Sequence, residues 1–101
     1  MNAAQKRLHR ATLERDGYAC QDCGGYADTV HHIVSRRYEG AWDIRNMITL
    51  CPWDHQGKNK QAGAHTREAR IRHLALLIER HGYDYSDKGE LWQGLIRGKI
   101  L

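Results

Sequence analysis

The chain has 101 residues, a length that fits one domain with a limited core. It contains no Phe, only 8% aromatic residues, and has a mean hydropathy of −0.76, so a metal staple is the natural supplement to a thin core. The net charge of +4, with an isoelectric point near 9.2, points to a polyanionic partner, most often nucleic acid, and no apolar stretch is long enough to span a membrane.

Residues 3–15 read as a helix with Leu8, Ala11 and Ala4 on a shared face, stopped by Gly17. Met1 to Arg10 is polar and basic, unlike a secretory leader, so the expected setting is reducing and cytoplasmic. Cys20-Gln-Asp-Cys23 follows as a tight turn that Gly24-Gly25 lets close. Residues 28–34 are β-rich and predict a short strand, 35–46 a loop, and Met47 to Leu50 a second strand that pairs with the first. Pro52 suits a first helical turn, with a helix over about 53–62 carrying Asp54, His55, Lys58 and Asn59. Thr66 caps a third helix, 67–81, with a stripe of Ile71, Leu74, Ala75, Leu77 and Ile78, and Gly82 ends it. Asp87 and Glu90 have the spacing of a capping box for a last helix over about 88–97, whose apolar face is Leu91, Trp92, Leu95 and Ile96. There are no repeats, low-complexity segments or long linkers. The expected fold is α+β: one domain over 1–101, its core at about 12–62 and helices at about 66–97 packed on it.

Three cysteines, two of them in a C-x-x-C, suit a metal better than a disulfide scaffold. Cys20, Cys23 and Cys51 offer three thiolates, and tetrahedral zinc takes a fourth ligand. Cys51-Pro-Trp-Asp54 repeats the two-residue spacing and makes Asp54 the positional candidate, with His55 and His65 as competitors. The competing reading is a buried thiol at Cys51 and a redox pair at Cys20 and Cys23. On a strand, His31 and His32 point to opposite faces, so they take different roles, one on a metal and the other facing a substrate. A histidine titrating near neutrality suits a general base.

Four ordered segments together resemble the HNH endonuclease family. They are Leu13 to Gly24 leading into the first zinc knuckle, His31-His32-Ile33-Val34, Asn46 with Ile48-Thr-Leu50-Cys51, and His55-Gln-Gly-Lys58. The resemblance covers roughly residues 12–60. It implies a small ββα-metal fold, a two-stranded antiparallel hairpin packed on helices around one divalent ion, beside a structural zinc. By that resemblance His32 is the base that activates water, His31 and His55 hold the catalytic ion, and Asn46 braces the loop and orients the base. Asn59, one turn past His55, is a candidate third ligand. Two departures stand out: Asp54 replaces a cysteine, and Ser35 stands where a proline is common.

Such an enzyme hydrolyses DNA phosphodiester bonds, by nicking or by cleavage of both strands. Imidazole ligands predict that Mn²⁺, Ni²⁺ or Co²⁺ serves at least as well as Mg²⁺. Arg36, Arg37 and Lys58 are the expected DNA contacts, with Arg45, Lys60, Arg67, Arg70 and Arg72 flanking them, mainly on phosphates. Trp42 and Trp53 read as loop anchors. Compact members of this family are common in phage genomes near packaging genes, which implies terminase proteins as partners. The rival is a zinc-stabilised nucleic-acid-binding module without catalysis, which needs the knuckle but not His32, Asn46 and His55 together.

Overall fold

The computed structural model describes residues 1–35, 41–52 and 66–98. The expected helix at 53–62 and the candidates Arg36, Arg37, Asp54, His55, Lys58, Asn59 and His65 lie outside the described residues.

Helix α1 (Ala3–Arg15) begins with a capping box, in which Asn2 and Gln5 satisfy one another's backbone N–H groups with their side chains. It ends where Gly17 and Tyr18 turn left-handed, at φ 66° and 54°. Its buried side is Thr12 and Leu13, not the expected face, and Ala4 is exposed. The reason is that α1 is docked by its C-terminal turns, against the hairpin.

That hairpin comprises β1 (Val30–His32) and β2 (Met47–Thr49), antiparallel, with Val30 opposite Thr49, His31 opposite Ile48 and His32 opposite Met47. Beyond His32 the pairing continues for one backbone bond, and the Asn46 side chain then takes up the chain. Ile33 N–H donates to the Asn46 carbonyl and Val34 N–H to its side-chain oxygen, both at 2.8 Å. All three β2 residues are fully buried.

Arg15 and Asp16 tie α1 to β2. The guanidinium chelates the Asp16 carboxylate and also donates to the carbonyls of Ile44 and Met47, at 2.9 and 2.6 Å. Asp16 in turn accepts from Thr49 N–H at 2.9 Å. Burial disfavours the Arg15 cation, but the hydrogen bonds and charges of Asp16 and Tyr83 together outweigh it and raise its pKa.

Helix α2 (Arg67–His81) is capped by the Thr66 hydroxyl and ended by a left-handed Gly82, as the sequence predicts. Its buried line is Ala69, His73 and Leu77, with Leu74 beside it. Helix α3 (Glu90–Gly98) packs on α2 through Trp92 and Leu95. Asp87 does not cap it, because the helix starts at Glu90 and the Asp87 carboxylate is held by Arg45, at 2.7 and 3.0 Å. Arg45 also pairs with Asp43 at 2.6 Å and donates to the Asp84 carbonyl. Arg45, which flanks the expected DNA contacts in sequence, has carboxylate and carbonyl partners: its guanidinium links the turn Ile44–Asn46 to the segment between α2 and α3.

One apolar cluster joins the knuckle, hairpin and C-terminal helices, running through Cys20, Ile33, Ile48, Leu50, Cys51, Leu74, Leu77, Trp92 and Leu95. Among the described residues no helix is long and apolar enough to cross a membrane.

Candidate metal centre and histidine pair

The Cys20–Cys23 turn is built by local backbone bonds. Cys20 N–H donates to the Gly25 carbonyl at 2.7 Å, and Gly24 N–H returns to the Cys20 carbonyl at 2.8 Å. Gly24 sits at φ 81°, a conformation that disfavours any side chain. Gln21 N–H donates to the Thr49 carbonyl at 3.0 Å, which pins the turn to the end of β2. Cys51, two residues past β2, thereby reaches the knuckle.

The three sulfurs lie within 4.8 Å of one another, with Cys23 and Cys51 3.8 Å apart. That is far beyond a disulfide bond of about 2.05 Å. It matches the edge of a tetrahedron with Zn–S bonds of about 2.3 Å, which is about 3.8 Å. The spacing and the donor set fit a zinc ion held by thiolates, and they disfavour the redox-pair reading. Cys20 and Cys51 are buried and Cys23 is exposed.

The knuckle has a further support that the sequence reading missed. Asp22, between the two cysteines, accepts from His73 Nε2 with both carboxylate oxygens, at 3.1 Å each, and pairs with Arg72 at 3.2 Å. His73 is fully buried on α2. Burial tends to raise the Asp22 pKa, but the hydrogen bonds and charges of His73 and Arg72 more than offset it and leave the carboxyl more acidic than usual. The visible signal was a histidine in the i, i+4, i+8 line of Ala69 and Leu77, where an apolar residue is the default.

His31 and His32 are separated by the strand, as alternation requires. His31 is 2% exposed and shares the Ile48 face, its ring edge-on to His73 with centroids 6.3 Å apart. His32 is half-buried and meets the Trp42 ring edge-on at 4.5 Å. Trp42 is thus a wall beside His32. Asn46 is fully buried and staples the two arms that leave the hairpin: its amide donates to the Val34 and Ala41 carbonyls, at 2.9 and 3.0 Å.

The knuckle brings Cys20, Cys23 and Cys51 together, the hairpin carries His31 and His32 on its two faces with Asn46 at its base, and Asp54, His55 and Asn59 fall outside the described residues. Comparison with curated proteins and with solved structures gives no match. The family model described as HNH endonuclease matches residues 20–61, the span from the first knuckle cysteine to just past Lys60, and the chain carries an HNH endonuclease-family segment there.

Proposed function

We propose that the protein is a metal-dependent endonuclease that hydrolyses DNA phosphodiester bonds. The observation that carries this reading is the HNH endonuclease match over residues 20–61, which contains the hairpin histidines, Asn46 and the three-cysteine cluster. In this reading the cysteines hold a structural zinc, completed by Asp54, and the scaffold of α1, hairpin and C-terminal helices presents His32.

His32 accepts a proton from water at a ring nitrogen, and the resulting hydroxide attacks phosphorus. The Trp42 ring packs edge-on against one side of the His32 ring. Asn46 acts at one remove, holding the backbone on either side of the histidine pair in a single geometry. His31 and His55 would hold the catalytic divalent ion, with Asn59 as a third ligand; when bound, such an ion supplies charge neutralisation at the phosphate and at the leaving 3′-oxygen. Arg36, Arg37 and Lys58 contact phosphates. A place in phage DNA processing beside terminase proteins draws its support from the resemblance to compact family members.

The test is cleavage of a supercoiled plasmid by the zinc-loaded protein, across Mn²⁺, Ni²⁺, Co²⁺ and Mg²⁺. Cleavage is expected with the transition ions at least as fast as with Mg²⁺. His32→Ala should slow it by about 10²–10⁴-fold, the span of a general base, while melting temperature and DNA affinity hold. DNA binding by the wild type with no cleavage in any ion would instead identify a non-catalytic binding module.

A further inference from the structure

Tyr18 and Tyr26 are exposed, at 38% and 75%, and apart from Met1 no other large apolar side chain is strongly exposed among the described residues. Their rings are nearly parallel, at 9°, with centroids 6.4 Å apart. The backbone holds them there. Ala19 and Tyr26 form an antiparallel bridge at the base of the cysteine knuckle, Ala27 N–H donates to the Tyr18 carbonyl at 3.0 Å, and Tyr18 N–H donates to Leu13.

Tyr18 is also the one non-glycine residue with positive φ among the described residues. A left-handed backbone at 54° suits Gly or Asn and penalises a bulky side chain. The Tyr18 ring lies beside Tyr26 and keeps 38% of the residue open to solvent, where a smaller side chain would relieve the backbone. Strain retained at a surface residue points to a function for the side chain.

We propose that Tyr18 and Tyr26 form a stacking platform for an unpaired nucleobase, so that the protein selects DNA carrying unpaired nucleotides. The inference rests on the nucleic-acid reading above and adds a substrate class to it. Charge decides between a base and an apolar protein surface as the occupant. Helix α1 leads directly into Gly17-Tyr18, and its exposed face carries Lys6, Arg7 and Arg10, none of them in an ion pair among the described residues. No acid lies in its first turn. Exposed Glu14 stands one turn past Arg10, so the cations occupy the helix before its last turn. Cations on a helix that leads into an exposed aromatic pair are the pattern of single-strand binding, with phosphates on the cations and a base on the rings. A protein-docking patch would surround the tyrosines with exposed aliphatic side chains, and among the described residues there are none of large size apart from Met1.

The test uses the full chain with zinc bound and no added catalytic ion. Fluorescence anisotropy reads the affinity for a labelled oligothymidine and for an abasic strand of equal length, at one salt concentration. The wild type should prefer the base-bearing strand. Tyr26→Ala should weaken that binding about tenfold, within the range of one lost stacking contact, and leave the abasic strand unchanged. Tyr26→Phe should restore it. Tyr18→Asn should also weaken binding but without lowering the melting temperature, since Asn tolerates the backbone.

Equal loss on both strands, or no loss, would overturn the platform while plasmid cleavage by the wild type leaves the nuclease reading standing. A change in self-association by sedimentation, with oligonucleotide affinity unaltered, would also overturn it in favour of contact between two copies. Base-selective binding by a wild type that cleaves no plasmid would support the platform and sink the nuclease reading.

Discussion

Asn46 makes three side-chain hydrogen bonds in a site with no solvent access. No other side chain of its size offers one acceptor and two donors in that plane. Asn46→Ala leaves Val34 N–H and two carbonyls to find other partners, and should cost about 2–3 kcal/mol in urea unfolding. If Asn46 also orients the histidine pair, the variant loses cleavage even at temperatures where it is fully folded. Cys51→Ser tests the neighbouring feature. It should abolish the bound zinc measured by elemental analysis, about one ion per chain in the wild type. It should also lower the melting temperature, because Cys51 belongs both to the metal cluster and to the apolar core.

At the scale of elements, the ion-pair clasps set the acid limit. Arg45 and Lys88 hold the Asp43 carboxyl well below the usual range, against the opposing effect of burial, and Arg45 also lowers Asp87. Asp22 is lowered as well. A carboxyl with a depressed folded pKa contributes stability that is complete above its unfolded pKa of about 3.9 and is lost as pH falls through the folded value. Denaturation midpoints should therefore be insensitive to these groups at neutral pH and fall below about pH 4. Asp43→Asn should be less stable at pH 7 than the wild type, and that gap should close in strong acid. Glycines in α3 give an opposed pair. A Cβ at Gly94 meets nothing within 4 Å, so Gly94→Ala should stabilise the helix by about 1 kcal/mol. A Cβ at Gly98 would lie 2.6 Å from Ile71 Cδ1, so Gly98→Ala forces Ile71 on α2 to move and should gain less or lose.

What the sequence made legible follows the same division. The Thr66 cap, the Gly82 stop and the Cys20–Gly25 turn depend on residues a few positions apart, and their residue types announce them. The Cys cluster was legible across a long interval because few side chains other than thiolates suit such a spacing. The clasp of Arg45 was not legible because its partners Asp84 and Asp87 are about 40 positions away, and an arginine in a basic chain looks the same whether it clasps a carboxylate or faces solvent. The buried side of α1 was misread for a similar reason. A helix with two weak apolar faces takes its orientation from what it docks on, and Arg15-Asp16 decide that through contacts with β2.

For the molecule as a whole, the metal cluster and the C-terminal helices are parts of one structure. Asp22 lies inside the C-x-x-C, yet its carboxylate is on His73 in α2. His73→Leu should accordingly do more than unsettle α2: with Arg72 as its one remaining partner, the Asp22 carboxylate should brace the knuckle less and weaken zinc retention in competition with a chelator. The loss should exceed that of Leu74→Ala, which removes core volume on the same helix and leaves Asp22 both its partners.

The order of these contacts along the chain has a consequence for synthesis. Cys23 and Cys51 are 28 residues apart, and Asp22 and His73 are 51 apart. At a ribosomal rate of roughly 5–20 residues per second, the first two thiols are exposed for about 1–6 s before the third emerges. Through that interval they form an open chelate from which a captured ion exchanges freely. Closure waits on Cys51, and the outer brace of the knuckle waits on a histidine made later still. The nascent chain would thus sample metals until Cys51 emerges, and the knuckle gains its outer brace only when α2 follows.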